Sequence, residues 1–239
     1  MPRKRLLIIR CSDDVQACEI GNVMELAQTY DMSVHLEDFH LIDDLADFYE
    51  NRPRDYYDFV YLCGHGCPTT FGGSGKDHDR DLAIPWPLLS WTICDTLRDN
   101  SLLFLACCDA GMETVASDFF IGCESLDRVF GPASSAHGHS LLLAFHVLVH
   151  DAIHNPDSNV ISSAAIATMV TTDKNLLGYT REAKIAEPTH QIYEAEGFVT
   201  KYSGYFAGLP AEESQFIEDR FENFVTQWEL DGRIAQPVA

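Results

Sequence analysis

Two side chains that can take part in covalent catalysis each follow an apolar run of strand length. The run DFVYLCG (58–64) leads directly into His65, and the run SLLFLAC (101–107) leads into Cys108. The carboxyl ends of parallel strands meet at one edge of a sheet, so we expect the two side chains to lie near each other. An imidazole can remove the proton of a neighbouring thiol, and the resulting thiolate can attack a carbonyl carbon. The spacing therefore predicts a nucleophilic cysteine with a histidine base.

Glycines flank both of these side chains. Gly64 and Gly66 border the histidine, and Gly111 follows the cysteine by three positions. A glycine lets a substrate backbone approach closely, because it has no side chain to obstruct it. Backbone N–H groups left uncovered in this way can stabilise the negative charge that develops on a carbonyl oxygen under attack. We predict that the amides of Gly66 and Cys108 form this oxyanion site.

Strands and helices alternate along most of the chain, which favours an α/β fold with a mostly parallel sheet covered on both faces. Apolar runs of strand length occur at 5–11, 32–39, 58–64, 101–107 and 128–136. Helical periodicity occurs at 13–30, 86–98, 139–153 and 157–173. Runs that are apolar at every position, such as LLII and LLFL, indicate strands buried on both sides.

The chain after residue 175 has a different character. Two stretches there suggest edge strands or a short hairpin, and residues 211–230 carry an apolar stripe with helical spacing. We expect that helix to pack on the domain, with docking to a partner as the alternative. The prediction is a single domain over 1–239, with a core over about 4–175 and the residues 176–239 packed against it.

The two motifs together resemble those of the caspase-like (clan CD) cysteine peptidases. In that family one hydrophobic strand ends in Gly-His-Gly, and a later strand ends in the catalytic cysteine, followed by any residue, a small residue and glycine. Only Cys108 fits this pattern, because Asp109, Ala110 and Gly111 follow it. Cys107 is then a neighbour that faces the core. The resemblance covers about residues 4–155, and within the family it points to the CHAT and other prokaryotic caspase-like proteases.

The resemblance implies a caspase-like (caspase-haemoglobinase) three-layer sandwich and an endopeptidase that uses a His65–Cys108 dyad without a cofactor or a metal. It implies protein or peptide substrates and an effector role in a prokaryotic pathway of antiviral defence or signalling. A regulatory partner protein is a separate expectation, as an alternative to control by the loop 67–81. A catalytically inactive interaction module with the same fold is the alternative.

In the family, three segments line the pocket for the residue before the scissile bond. They are the end of the first strand, the position two before the cysteine, and the segment after the fifth strand, which correspond here to Arg10–Asp14, Ala106, and Ser134 with Ser135. Ala106 departs from the acid that metacaspase-like enzymes carry. Asp13 or Asp14 can still select Arg or Lys, so a basic residue is the leading expectation. Selection of an acid by Arg10 and a preference for neutral residues remain alternatives.

A zinc site is a rival interpretation of the same residues. Cys63, His65 and Cys67 alternate, so an extended chain would direct all three to one side, with Cys107 or Cys108 as a fourth ligand. Cys63 lies within an apolar run, however, and no paired C-x-x-C motif supports a closed tetrahedral site. A metal-binding hydrolase of similar topology is therefore a third hypothesis.

Two groups of histidines lie outside the dyad. His137 and His139 follow the fifth predicted strand, where they can contact substrate or cap a helix. His146, His150 and His154 recur every fourth residue along a predicted helix and form one face of it. That face can respond to pH or can simply be packed or solvated.

The net charge and composition of the chain limit the kinds of molecule that it can bind. The chain has 239 residues and a formal net charge of −21, so it would be repelled by nucleic-acid backbones and by anionic membrane surfaces. No apolar run reaches the length of a membrane span, and the N-terminal run is too short for a signal peptide. The eight cysteines, several of them inside apolar runs, do not suggest a disulfide framework. We expect a cytoplasmic protein in a reducing compartment.

Two segments next to the motifs, 111–127 and 67–81, indicate how the predicted peptidase is activated and controlled. Only residues 111–127 separate the cysteine strand from the fifth strand, and they include a short predicted helix with Val115, Phe119 and Phe120 turned inward. This segment is too short and apolar to be a good processing site. The glycine-rich loop 67–81 lacks the glycine spacing of a phosphate loop, and we expect it to be mobile and to control access to the cleft.

Overall fold

The strands of the computed structural model lie close to the predicted apolar runs; the structure describes residues 3–12, 15, 17–40, 42–72, 83–123, 125–156, 160–171 and 176–180. In chain order the strands are β1 (Arg5–Arg10), β2 (Ser33–Asp38), β3 (Tyr57–Cys63), β4 (Thr70–Gly72), β5 (Ala83–Pro85), β6 (Leu97–Ala106), β7 (Leu126–Pro132) and β8 (Leu176–Thr180). The helices are α1 (Ala17–Thr29), α2 (Ile42–Asn51), α3 (Trp86–Cys94), α4 (Glu113–Gly122), α5 (Gly138–His154) and α6 (Val160–Thr171).

Six of these strands form one twisted sheet in the order β2-β1-β3-β6-β7-β8. The first five are parallel to one another, and β8 runs antiparallel to β7 at the edge. The chain moves outward from β1 to β2 and then returns to the other side of β1 to form β3. Parallel sheets bind ligands at the carboxyl ends of their strands near such a reversal. The predicted α/β class with a mostly parallel sheet is confirmed.

Strand alternation divides the core into two apolar layers. Leu7 and Ile9 of β1 pack in a layer with α2, α3 and α4, whereas Leu6 and Ile8 pack on the opposite face with α1, α5 and α6. All four side chains are almost completely buried, and burial of each stabilises the fold by about 1.5–3 kcal/mol. This arrangement explains why the central strands are apolar at consecutive positions.

The boundary between α3 and β6 differs from the sequence prediction. The predicted helix over 86–98 ends at Cys94, and β6 begins at Leu97, four residues before the predicted strand. Leu97 pairs with Tyr57, and the pairing register then shifts before Leu102. Asn100 occupies the left-handed region with φ 64° within this irregular stretch, a conformation that asparagine tolerates better than most residues. The last residues of the predicted helix therefore belong to the irregular first half of a strand.

Three further elements correct the sequence prediction. The helix α2 was not predicted, although Leu45 and Phe48 lie one turn apart and are buried. The expected mobile loop 67–81 instead begins with β4, which pairs antiparallel with β5; its part after residue 72 lies outside the described residues. The fifth predicted strand ends at Pro132 rather than at 136.

The segment between β6 and β7 and the edge strand β8 agree with the prediction. The helix α4 buries Val115, Phe119 and Phe120 as expected. β8 forms an edge strand, while the remainder of the predicted C-terminal packing, including the helix over 211–230, lies outside the described residues. In the part of the chain that is described, no helix has the length and apolarity needed to cross a bilayer.

Candidate active site

The neighbouring strands β3 and β6 place the two predicted catalytic residues at the same level of the sheet. Cys63 pairs with Ala106 at the ends of these parallel strands. His65 and Cys108 each follow two residues later, so both emerge at the carboxyl edge next to each other. His65 is exposed and Cys108 is partly exposed, which leaves both side chains accessible from solvent.

The two turns that carry these residues touch through their backbones. A Cβ placed on Gly66 would lie 2.7 Å from the carbonyl oxygen of Cys108 and 3.0 Å from the sulfur of Cys107. Real Cβ atoms do not approach other atoms this closely, so only glycine allows the two turns to meet at this distance. The glycine after the histidine therefore sets how near the imidazole turn comes to the thiol turn.

The histidine turn is held from both sides. The His65 amide donates to the hydroxyl of Ser12, which itself donates to the carbonyl of Cys11 at the end of β1. The carbonyl of His65 accepts from the amide of Gly72 at 2.9 Å, and the amide of Cys67 donates to Thr70 at 3.0 Å. The sequence analysis missed Ser12, although a polar residue directly after a buried strand is a detectable signal.

The cysteine turn is held by the chain that leaves β7. Asp109, directly after Cys108, has φ 56°, in the left-handed region, and its amide donates to the carbonyl of Ser134 at 3.4 Å. The amide of Gly111 donates to Pro132 at 2.7 Å. A Cβ on Gly111 would lie 2.0 Å from the carbonyl oxygen of Gly131, so this position accepts only glycine.

The amides proposed for the oxyanion site are not used by the hydrogen bonds that close these turns. The histidine turn is closed by the amides of Cys67 and Gly72, and the cysteine turn by those of Asp109 and Gly111. Among the described residues, the amides of Gly66 and Cys108 donate to no acceptor. Both groups are thus available to an incoming carbonyl oxygen.

The adjacent cysteines differ in environment. Cys107 is only 2% exposed and lies in the layer formed with α2, α3 and α4. Burial, and to a lesser extent the neighbouring Cys108, raises the pKa of the Cys107 thiol well above its usual value. Cys107 is therefore a protonated core residue, and Cys108 is the accessible member of the pair.

The geometry disfavours the zinc alternative. Cys63 lies in the layer with α1 and α5, on the opposite face of the sheet from Cys107. Its thiol donates to the carbonyl of Ile9 at 3.5 Å. Within the described ranges, no three His, Cys, Asp or Glu side chains are grouped closely enough to hold a metal ion.

Cys67 is a second partly exposed thiol, two residues after His65. Its sulfur lies 3.3 Å from the Thr69 hydroxyl and 3.1 Å from the Thr70 hydroxyl. Burial raises the pKa of this thiol, but the hydrogen bonds from Thr69 and Thr70 outweigh burial, and the net effect lowers it. Reagents that detect thiolates will therefore react with Cys67 as well.

The structure describes only some of the residues that were predicted to line the substrate pocket. Ser134 contacts the cysteine turn through its carbonyl, and Ser135 is exposed beside it. Arg10 is bound by Asp38, with its guanidinium 2.6 and 2.8 Å from the two carboxylate oxygens. Asp13 and Asp14 lie outside the described residues.

The histidines that the sequence analysis placed outside the dyad lie on α5 or directly before it. The exposed rings of His137 and His139 stack with centroids 5.6 Å apart at the start of the helix. Further along, burial lowers the pKa of His146, and its Nε2 atom has no partner among the described atoms. His150 binds the hydroxyl of Tyr30 at 2.7 Å, so this face packs partly against α1.

The arrangement of strands and helices is similar to that of a solved cysteine protease. The crystal structure of a secreted C11 cysteine protease from Bacteroides thetaiotaomicron, named iotapain, matches with a TM-score of 0.51 and 8% sequence identity, over 76% of this chain and 67% of that protein. The fold is caspase-like. A structure of a secreted C11 cysteine protease from the same organism, in complex with an irreversible peptide inhibitor, has a TM-score of 0.49 and 13% identity, over 70% of this chain and 58% of that protein.

No family model and no curated protein matches the chain. The caspase-like fold therefore rests on the three-dimensional arrangement and on the iotapain match, and the two short motifs provide the link to chemistry. At this level of identity the match defines the fold alone. The finer assignment to the CHAT group remains a prediction from the motifs.

Proposed function

We propose that the protein is a cysteine endopeptidase that cleaves protein or peptide substrates with His65 and Cys108. The observation that carries this proposal is the register of β3 and β6, which brings the histidine and cysteine turns into backbone contact at the carboxyl edge of the sheet. A close backbone contact at Gly66 does not by itself require a histidine and a cysteine beside it, whereas covalent catalysis by a thiolate with a histidine base requires both.

In the proposed reaction, the His65 imidazole removes the proton from the Cys108 thiol, and the thiolate forms a bond to the carbonyl carbon of the scissile peptide. The amides of Gly66 and Cys108 stabilise the negative charge on the carbonyl oxygen. The C–N bond then breaks as the imidazolium returns its proton to the leaving amine, which leaves a thioester. Water, deprotonated by His65, attacks the thioester and releases the acid and the free thiol.

A basic residue before the scissile bond fits the charges of the site. The net charge of −21 attracts cationic substrates. The alternative in which Arg10 selects an acid is disfavoured, because Asp38 already binds its guanidinium with two short contacts. The resemblance of the motifs to CHAT and other prokaryotic caspase-like proteases supports an effector role in a cytoplasmic defence or signalling pathway, with a regulatory partner protein.

A peptide-library cleavage assay on the wild type and on Cys108→Ala tests this function. We expect cleavage by the wild type only, and labelling of Cys108 by an electrophilic peptide probe. A simple alkylating reagent is unsuitable, because Cys18 is exposed and Cys67 is partly exposed. A folded wild type that cleaves no library peptide and takes up no peptide probe would support the inactive interaction module instead.

We further expect the enzyme to be active as a single chain. The segment between β6 and β7 contains α4, whose Val115 and Phe119 are completely buried. Proteases cut exposed, locally unfolded chain, so this segment is a poor processing site. Intact mass measured on the purified protein before and after an activity assay should show one unbroken chain. Activity that begins only after a cut within 111–127 would contradict this prediction.

A further inference from the structure

The carboxylate of Glu19 is a partly buried charged group that the proposed mechanism does not use. It lies in the first turn of α1, which follows β1 and so begins near the carboxyl edge of the sheet. The buried hydroxyl of Tyr61 donates to its Oε1 atom at 2.7 Å. Its Oε2 atom faces the start of α5, where a Cβ on Gly138 would lie only 2.8 Å away.

Glu19 is partly buried without a cation beside it. In the described part of the chain, no Lys, Arg or His side chain forms an ion pair with this carboxylate. Burial raises the pKa of Glu19, and the Tyr61 hydrogen bond only partly offsets that effect. A carboxylate removed from water is costly unless a positive charge is close to it, so a cation arriving here would be bound favourably.

Three rows of side chains connect Glu19 with the dyad on one face of the sheet. The ring of Tyr61 stacks on Phe104, with centroids 5.6 Å apart. Two residues further along each strand, Cys63 and Ala106 form the next row on the same face. His65 and Cys108 follow two residues after this row, where both strands have ended at the carboxyl edge of the sheet.

The charge of Glu19 reaches the middle row, whose side chains are small. Burial first, and then the charge of Glu19, raises the pKa of the Cys63 thiol. A residue larger than alanine at position 106 would separate the Glu19 carboxylate from the dyad. A long cationic side chain entering beside Cys108 would have its charged end directed toward Glu19.

We propose that Glu19 is the specificity-determining residue that binds the side chain of an Arg or Lys preceding the scissile bond. The inference rests on the proposed peptidase function. It assigns the basic preference to the first turn of α1 rather than to Asp13, Asp14 or the position two before the cysteine.

A helix-capping role does not account for this carboxylate. Anionic side chains do stabilise helix N-termini when the first-turn amides bind them. The amides of Ser140 and Leu141, however, donate to the carbonyl of His137, and α5 has no side-chain cap bond. Among the described residues, the hydroxyl of Tyr61 is the group that donates to Glu19.

The test compares two peptides that differ only in Arg or its neutral isostere citrulline before the scissile bond. We expect the ratio of kcat/KM for Arg over citrulline to fall at least about 30-fold in Glu19→Gln, the size typical of removing one member of a partly buried charge pair. Gly138→Ala keeps the charge but displaces the carboxylate, and it should lower the ratio in the same direction. Glu25→Gln, an exposed acid on the same helix, is the matched control and should leave the ratio unchanged.

The ratio of kcat/KM for Arg over citrulline separates loss of recognition from loss of folding, because a misfolded variant would cleave both peptides more slowly to the same extent. Cleavage with an unchanged ratio in Glu19→Gln and in Gly138→Ala would overturn the role of Glu19 and leave the peptidase function standing. Binding of product peptides ending in Arg or citrulline to Cys108→Ala, with and without Glu19→Gln, provides a readout independent of turnover. If the wild type cleaves neither peptide while Cys108→Ala binds the Arg product through Glu19, the peptidase function alone is overturned. If there is neither cleavage nor Glu19-dependent binding, both proposals are overturned.

Discussion

Cys108→Ala should abolish peptide cleavage, whereas Cys107→Ala should retain much of it. The loss in Cys108→Ala should be on the order of 10⁶-fold in kcat, as when another enzyme loses a covalent nucleophile. Cys108 is partly exposed at the sheet edge, and Cys107 is buried in the layer formed with α2, α3 and α4. The two substitutions therefore remove the same atom from adjacent positions with different consequences.

The two variants should also differ in stability. Cys107→Ala removes a buried sulfur from a packed layer, which should lower the free energy of unfolding by about 1 kcal/mol. Cys108→Ala should unfold at nearly the wild-type temperature. Steady-state kinetics and thermal unfolding on both proteins would check this pair of results, and the opposite pattern of activity would place the nucleophile one residue earlier.

His65→Ala should lower turnover by about 10²–10⁴-fold, the range for loss of a general acid–base group. Its fold should survive, because the side chain is exposed and the turn is held by backbone bonds to Ser12 and Gly72. His154→Ala, another exposed histidine at the end of α5, is the matched control and should keep full activity.

Added imidazole gives this prediction a second readout. A small base that enters the space left by the missing ring should partly restore cleavage in His65→Ala and should leave His154→Ala unaffected. A soluble His65→Ala protein with wild-type kcat and no response to imidazole is incompatible with the dyad.

Much of this architecture follows from local patterns in the sequence. Leu6 to Ile9 are apolar at every position because each strand face meets its own helical layer, and that pattern is visible without a structure. The glycines around His65 and after Cys108 likewise mark turns. The register that brings these turns together is a property of β3 and β6 pairing, so the sequence could suggest it only through the resemblance of two motifs.

Other features depend on contacts that no local pattern contains. Asn100 and the register shift in β6 arise from pairing with Tyr57 across forty residues of intervening chain. Glu19 resembles any first-turn acid of an amphipathic helix until Tyr61 and Gly138 are seen beside it. β4 falls within the predicted loop 67–81, because this strand and its partner β5 are only three residues each, too short to show strand alternation.

In the part of the chain that the structure describes, the hydrogen bonds that join the turn carrying Cys108 to the end of β7 and the residues after it are between backbone atoms. The acceptors are the carbonyls of Pro132 and Ser134, and the Gly111–Gly131 contact closes the junction. Redesign of the cleft would therefore be limited by the length of the segment after β7 rather than by its amino-acid composition. The Ser134 and Ser135 side chains can be exchanged without disturbing these bonds, but a one-residue insertion between Gly131 and Ser134 would shift the second acceptor by about 3.3 Å. In the predicted substrate pocket, variants with altered specificity would be made by substitution at Ser134 and Ser135, whereas loops of another length would have to be grafted together with β6, β7 and the turn between β6 and α4.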